Sequence, residues 1–299
     1  MSDDGRSTIP ENTRALLQEK ILSDHGRMGP DDTFQFGCHP GISCFNTCCS
    51  DVNIFLSPYD VLRLRKRLGL TSTEFLDKHV LLPVQKDMKT PVVLLRMNDD
   101  GEKRCPFLTG KGCGVYSDRP WPCRMYPVGL ATSKDTPDGW RGERFYFLLK
   151  ERGCMGFGEA RSWTIGDWLD EQQVEEYDRW GEAYKELTLH DFLGKGNLLT
   201  PEKMEMFFTA TYDLDKLRRF VFESSLLDRF EVDEDFVEEM RYSEEALLRF
   251  GFLWVRFALF GEATMKVKAD VLEAFQEKRE KRTPGPKRSP LGSVQEQTR

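Results

Sequence analysis

The chain has 299 residues, of which 39% are hydrophobic, 31% charged and 12% aromatic. This composition is that of a folded globular protein with a core of full size, and it excludes an intrinsically disordered chain. The formal net charge of -7 argues against nucleic acid as a partner. Proteins that bind nucleic acid usually carry a basic balance or a concentrated basic face.

The terminal and most apolar segments predict neither secretion nor membrane insertion. Residues 1–10 are polar and lack the apolar stretch of a signal peptide. Residues 246–260 are apolar but too short for a bilayer span, and they contain Arg249 and Arg256, so they predict a buried helix. We therefore expect a cytoplasmic protein without membrane contact. In that compartment, clustered cysteines are metal ligands or catalytic groups more often than disulfides.

The sequence predicts four regions in chain order. Residues 1–33 form an N-terminal helix, over residues 11–22, and a linker. Residues 34–160 contain every cysteine and form a metal-binding domain. Residues 161–280 show helical patterns and almost no loop signals, and residues 281–299 read as a disordered basic tail.

Local signals place short elements between the cysteines. Ser57 and Pro58 predict a helix start and Gly69 its end, and the capping-box pair Thr71 and Glu74 predicts a second helix that runs to residue 79. Segments 91–97, 128–132 and 144–149 are rich in apolar residues and predict strands, the first of which turns back toward residue 105 in a hairpin. The remaining stretches, including 105–127, are irregular because of their prolines and glycines.

Beyond about residue 164 the pattern becomes helical. Apolar residues at three- and four-residue spacing predict one long helix over residues 165–189, and further helices are predicted from residue 201 and near 214–224, 233–241, 243–260 and 264–280. The fold class is therefore α+β. An irregular, loop-rich cysteine domain with a few short strands and helices packs against a mainly α-helical C-terminal half, because the aromatic stripe of the first helix needs a partner surface.

The cysteines carry the main functional signal. All eight lie between positions 38 and 154, and most stand beside glycine or proline, where the backbone can turn closely around a metal. The predicted metal ligands are Cys38, Cys44, Cys48, Cys49, Cys105, Cys113, Cys123 and Cys154.

The number of thiols leaves several arrangements open. Four thiolates suffice for one zinc ion or one cubane iron–sulfur cluster, so eight allow two sites, a binuclear site, or one site with spare thiols. Adjacent Cys48 and Cys49 cannot easily direct both sulfurs at one metal, because successive side chains diverge; one ligates and the other packs, or they bridge neighbouring metals. Paired C-x2-C knuckles are absent, so buried or redox-active thiols remain an alternative.

An ordered motif joins the later cysteines. It reads Cys-Pro-Phe-Leu at 105–108, Cys-Gly-Val-Tyr at 113–116, Arg-Pro at 119–120 and Cys-Arg-Met-Tyr-Pro at 123–127. This run resembles the YkgJ-type cysteine-cluster family, a zinc- or iron-chelating domain that flagellin lysine-N-methylases share. The resemblance covers roughly residues 34–160 and extends to Cys154. The first cysteines are spaced more widely than the family's C-x2-C-x2-C-C pattern, which leaves open whether Cys38 or Cys44 is the equivalent ligand.

Other polar residues near the cysteines are secondary candidates. Arg119 and Arg124 flank Cys123 and could offset the negative charge of thiolates, with Arg124 favoured. His39 follows Cys38, but a loop histidine is more often solvated than bound to metal.

Three functions follow from the sequence. The first is a zinc or iron–sulfur protein in electron transfer or metal handling. The second is a structural zinc site that supports a helical module for binding a partner protein. The third, implied only by the resemblance, is a lysine methylase, for which the helical half offers no recognisable motif.

Overall fold

The computed structural model describes residues 26–83, 88–132 and 144–282. The predicted helix over residues 11–22 and the tail beyond residue 282 lie outside these residues. The chain forms two compact units, one that ends at Lys216 and one that begins at Leu217. The predicted α+β class, with short strands and a mainly helical C-terminal half, is confirmed.

The described strands are short and pair in antiparallel twos. The pairs are β1 with β8, β2 with β3, β4 with β5, β6 with β7, and β9 with β10. Their bounds are Thr33–Gln35 (β1), Val80–Leu81 (β2), Leu94–Leu95 (β3), Leu108–Thr109 (β4), Gly112–Cys113 (β5), Val128–Thr132 (β6), Arg144–Leu148 (β7), Ser162–Thr164 (β8), Phe230–Glu231 (β9) and Lys266–Val267 (β10).

Helices make up most of the rest of the described chain. The predicted caps of the first two are confirmed, since Ser57 with Asp60 and Thr71 with Glu74 form capping boxes and Gly69 ends the first helix at φ 66°. The helices are Pro58–Leu68 (α1), Ser72–His79 (α2), Trp121–Met125 (α3), Ile165–Glu171 (α4), Val174–Thr188 (α5), Asp191–Gly194 (α6), Pro201–Thr211 (α7), Leu214–Glu223 (α8), Leu226–Arg229 (α9), Glu234–Tyr242 (α10), Glu244–Phe260 (α11) and Ala269–Arg282 (α12).

The predicted helix over residues 165–189 is wrong in its continuity. It breaks between α4 and α5, where Gln173 adopts the left-handed conformation at φ 53°. The Arg124 guanidinium donates a 2.8 Å hydrogen bond to the Gln172 carbonyl, which a continuous helix would use internally. A distant side chain therefore competes with the helix for its own hydrogen bonds.

The strand predicted over residues 91–97 is also shorter than expected. Only Leu94–Leu95 is a strand, and it pairs with Val80–Leu81 rather than with the segment before residue 105. The predicted turn after this strand does form, and a hydrogen bond from the Asn98 amide to the Arg104 carbonyl closes it. Strands β6 and β7 pair over five residues each, as their apolar composition predicts.

Two hydrophobic clusters form the core of the first unit. One surrounds Leu64, Phe75 and Phe107, and the other surrounds Phe36, Ile165 and Trp168. The expected burial of the aromatic stripe is confirmed within this unit. Trp168 is buried, and Trp180 stacks on the Tyr59 ring with 5.3 Å between the ring centres.

The second unit contains the most apolar segment of the sequence. As predicted, it lies in a helix, α11, whose residues Leu247, Leu248 and Val255 are fully buried. Gly261 ends α11 in the left-handed conformation at φ 75°. Within the part of the chain that the structure describes, no helix has both the length and the hydropathy to cross a bilayer.

Candidate metal centre

The first cysteine loop, residues 37–49, lies against the loop that contains Cys154. The Gly37 amide donates a 3.0 Å hydrogen bond to the Gly156 carbonyl, and the Met155 amide donates to the Cys44 sulfur at 3.1 Å. The first cysteine loop and the loop that contains Cys154, which are distant in sequence, therefore contact each other.

Gly156 allows this close approach. A Cβ atom at residue 156 would lie 2.7 Å from the Gly37 carbonyl oxygen and 2.7 Å from the Phe36 ring. Backbone atoms at that distance must move, so only glycine fits between the two loops.

We expect Gly156→Ala to lower the free energy of unfolding by about 1–3 kcal/mol, because the added methyl group forces the two loops apart. Gly158→Ala is the matched control in the same turn, since a Cβ there meets no atom of the described structure within 4 Å. Urea denaturation of both variants measures the difference. Equal stabilities would contradict the close approach of the loops.

The second cysteine loop, residues 105–113, lies against Cys49. The Cys105 amide donates a 2.8 Å hydrogen bond to the Cys49 carbonyl. Within the loop, Leu108 pairs with Cys113 across the β4–β5 hairpin, and the Leu108 amide donates to the Cys105 carbonyl. The hairpin thus places Cys105 and Cys113 together beside Cys49.

A buried carboxylate positions the helix that contains Cys123. Asp60 is 1% exposed, and its side chain accepts a 2.7 Å hydrogen bond from the Trp121 amide at the start of α3. Asp60 also lies in the first turn of α1, where it forms the capping box with Ser57. Its second role depends on a contact over 61 residues, for which the sequence holds no signal.

The charges that act on the thiols divide the cysteines into two sets. Partial burial, together with the neighbouring thiols Cys48, Cys44 and Cys154, raises the pKa of Cys38 to about 11. Burial likewise raises the pKa of Cys123 to about 12, here with added effects of Cys105 and Cys113. We call Cys38, Cys44, Cys48 and Cys154 the Cys38 group, and Cys49, Cys105, Cys113 and Cys123 the Cys105 group.

The adjacent cysteines join the two groups. The Cys49 thiol hydrogen-bonds the Cys48 sulfur, which lowers the pKa of Cys48 to about 7 and raises that of Cys49. Cys49 is also affected by the charges of Cys123 and Cys105. Cys48 is therefore the readily ionised member of the pair, and Cys49 belongs with the second loop.

Backbone amides face the sulfurs of the Cys105 group. Burial raises the pKa of Cys105 and of Cys113, but amide hydrogen bonds oppose that rise. The nearby Phe107 and Leu108 amides lower the pKa of the Cys105 thiol, and the nearby Val115 amide lowers the pKa of the Cys113 thiol. Such N–H groups orient a thiolate and stabilise its charge when it binds a metal.

One comparison with known proteins covers this part of the chain. Residues 37–153 match a family model named CxxCxxCC and described as "Putative zinc- or iron-chelating domain". This segment is similar to that family. No curated protein and no solved structure matches the chain. The resemblance predicted from the motif at residues 105–127 is thereby confirmed at the level of this domain.

The arginine beside the cysteines of the CxxCxxCC domain is Arg119, whereas the sequence favoured Arg124. The positive charge of Arg119 acts on both Cys113 and Cys123. Its guanidinium is buried, lies 3.9 Å from the centre of the Tyr116 ring and donates to the Gln172 side chain. Arg124 instead bonds backbone carbonyls, so its role is to hold the chain in place.

Tyr126 points its hydroxyl at the Cys38 group. The Tyr126 oxygen is buried and has no nitrogen or oxygen partner among the described residues. Burial raises its pKa, and so does the nearby Cys154 thiol. An otherwise unpaired hydroxyl that faces a thiol fits a site where that sulfur is a metal-bound thiolate and accepts the hydrogen bond.

The histidines of the CxxCxxCC domain take no part in the groups. His39 contacts Glu159 through Nε2 at 3.0 Å, while its Nδ1 accepts a hydrogen bond from the Gly41 amide. His79 is buried between the rings of Phe75 and Phe107.

The candidate metal donors are the eight cysteines. All eight are free thiols. Across residues 26–83, 88–132 and 144–282, no three Cys, His, Asp or Glu side chains already form a set that could hold a metal ion. The donor chemistry nevertheless suits zinc or iron, because both bind clustered thiolates in the deprotonated state.

Proposed function

We propose that the protein binds zinc or an iron–sulfur cluster through these cysteines and that the metal holds the loops of its CxxCxxCC domain in place. The observation that carries this proposal is the setting of the Cys105 group. Cys105 and Cys113 pack against the hydrophobic cluster around Phe75 and Phe107, and the Cys105 amide donates a 2.8 Å hydrogen bond to the Cys49 carbonyl, which brings the first cysteine loop beside them.

The bound metal would supply positive charge at a point where thiolates would otherwise repel one another. The chain supplies the rest of the site. The loop at 105–113 supplies the sulfurs of Cys105 and Cys113, and α3, whose first amide donates to Asp60, supplies that of Cys123. Arg119 offsets part of the negative charge. Because three separate segments meet there, a metal would fix their relative positions.

Metal analysis of the full chain, purified without oxygen, tests the proposal. We expect zinc or iron in the purified protein, a colourless product with zinc, and a brown one that absorbs near ~400 nm with an iron–sulfur cluster. Cys113→Ser is expected to lose metal, whereas His39→Asn, next to Cys38 but paired with Glu159, keeps it. Wild-type protein free of both metals, with all thiols reduced, would refute the proposal.

Electron transfer or metal handling is a second candidate, and the exposure of the thiols favours it. Cys38 and Cys48 are partly exposed to solvent, so a redox partner or a metal acceptor can approach them. Rapid release of zinc to a competing chelator would indicate metal handling, and reversible bleaching of a brown protein would indicate electron transfer.

Two further functions rest on the sequence alone. A partner-binding role for the helical half and a lysine methylase activity have no supporting contact among the described residues.

A further inference from the structure

One small sheet of the first unit has apolar side chains on both of its faces. The β2–β3 pair is extended by a third segment, because Phe55 bridges Leu94 of β3 and Leu94 pairs with Leu81 of β2. Successive side chains of a strand point to opposite faces of a sheet. The side chains of the inward face are buried in the core, and they are Leu56, Val80 and Leu95.

The outward face of this sheet is open to solvent. Its cross-strand neighbours are Phe55, Leu94 and Leu81, of which Phe55 is 60% exposed and Leu81 46%. Leu82, the next residue of the chain, is exposed as well. A sheet with one solvated face normally places polar side chains there. Apolar side chains grouped at such positions are typical of an interaction site.

The edge of the same sheet has unpaired backbone groups. The Ile54 carbonyl accepts a 2.9 Å hydrogen bond from the Leu95 amide. The Leu56 amide donates a 2.9 Å hydrogen bond to the Val93 carbonyl. Because backbone groups alternate in direction along an extended strand, the amide and carbonyl of Phe55 point away from β3. Neither group has a hydrogen-bond partner among the residues that the structure describes.

We propose that this edge binds an extended segment of a partner protein, which adds a strand beside Phe55. The free donor and acceptor of Phe55 form hydrogen bonds to the added strand, and the apolar outward face selects apolar side chains at alternate positions of it. This inference goes beyond the proposed function, because neither Phe55 nor its neighbours Leu81 and Leu94 is a candidate metal ligand.

The size of the surface favours a short segment over a second copy of this chain. A stable interface between two folded proteins takes about 20–30 residues from each partner. The exposed apolar face described above comprises only Phe55, Leu81, Leu82 and Leu94. A strand of the usual length, about 5 residues, covers a face of this size.

The test is selection of random peptides displayed on phage, with the full-length protein as the target. We expect the selected peptides to share apolar residues at alternate positions. Phe55→Ser and Leu81→Ser should each weaken their binding about tenfold or more, because the apolar contact is lost. Tyr242→Ser is the matched control and should bind as wild type, since Tyr242 is 82% exposed but lies at the end of helix α10.

N-methylation of a selected peptide distinguishes an added strand from other modes of binding, and it needs no protein variant. A strand directs the amides of alternate residues to one neighbour, so methyl groups on one alternate set should abolish binding and those on the other set should not. Equal effects of the two sets, or peptides that bind Phe55→Ser as well as wild type, would overturn the proposal. A dimer in light scattering that Phe55→Ser separates would assign the edge to a second copy and would also overturn it.

Discussion

Removal of the metal by a strong chelator should open both cysteine loops to proteases. Residues 37–49 and 105–123 contain only short 3-10 turns, two-residue strands and the five-residue helix α3, so little regular hydrogen bonding holds them. Converging thiolates without a cation repel one another, so the loops must separate or the thiols must take up protons. Metal that binds only the folded state adds its binding free energy to stability, on the order of 10 kcal/mol for structural zinc.

Limited proteolysis with and without chelator, read with metal content, measures this effect. Cleavage should begin in the two loops, while α1 and α2 resist longer because Leu64 and Phe75 are fully buried in a hydrophobic cluster. The Cys113→Ser variant should reproduce the chelator's pattern, and His39→Asn should behave as wild type. Equal resistance of metal-free and metal-loaded protein would show that the metal does not stabilise the fold.

Arg124→Ala is expected to cost about 3 kcal/mol or more of unfolding free energy. The Arg124 side chain is 2% exposed and donates to the carbonyls of Ser117, Arg119 and Gln172 and to the Tyr177 hydroxyl. Its removal leaves three carbonyls without this donor. It also removes a positive charge that acts on the buried carboxylate of Asp60.

Urea denaturation of metal-loaded protein checks this prediction. Arg144→Ala is the matched control, since Arg144 is exposed and its 2.9 Å ion pair with Asp178 should contribute no more than about 1 kcal/mol. Arg124→Lys should also be destabilising, because one ammonium group cannot reproduce the planar set of donors. If Arg124→Ala were as stable as the control, the carbonyl contacts would not hold the segment around Cys123.

The elements that depend on local signals were predictable from the sequence. The capping boxes at Ser57 and Thr71 fixed the starts of α1 and α2, because a cap satisfies amides within three residues of itself. Helix α11 was predictable from its apolar composition. The cysteine motif likewise predicted the CxxCxxCC domain, because its glycines and prolines lie within a few residues of the thiols.

The break between α4 and α5 was not predictable, because the helical periodicity continues through it. The Arg124 guanidinium, 48 residues away, takes the Gln172 carbonyl, and that competition is absent from any local window. The sequence favoured Arg124 as the arginine beside the thiols, whereas the structure places Arg119 there. This difference also results from contacts between residues that are distant in sequence. Two arginines five residues apart look equivalent in sequence, and only the position of α4 and α5 separates them.

The sequence alone thus determined that this protein has eight clustered thiols in loops and a helical remainder, since composition and short-range pattern suffice for both. Only the tertiary structure decided which thiols are neighbours. The loop at 154–156 contacts residues 37–44, and the loop at 105–113 contacts Cys49, through hydrogen bonds between segments some 55 to 120 residues apart. Such contacts depend on how the two hydrophobic clusters pack, and no local residue pattern encodes them.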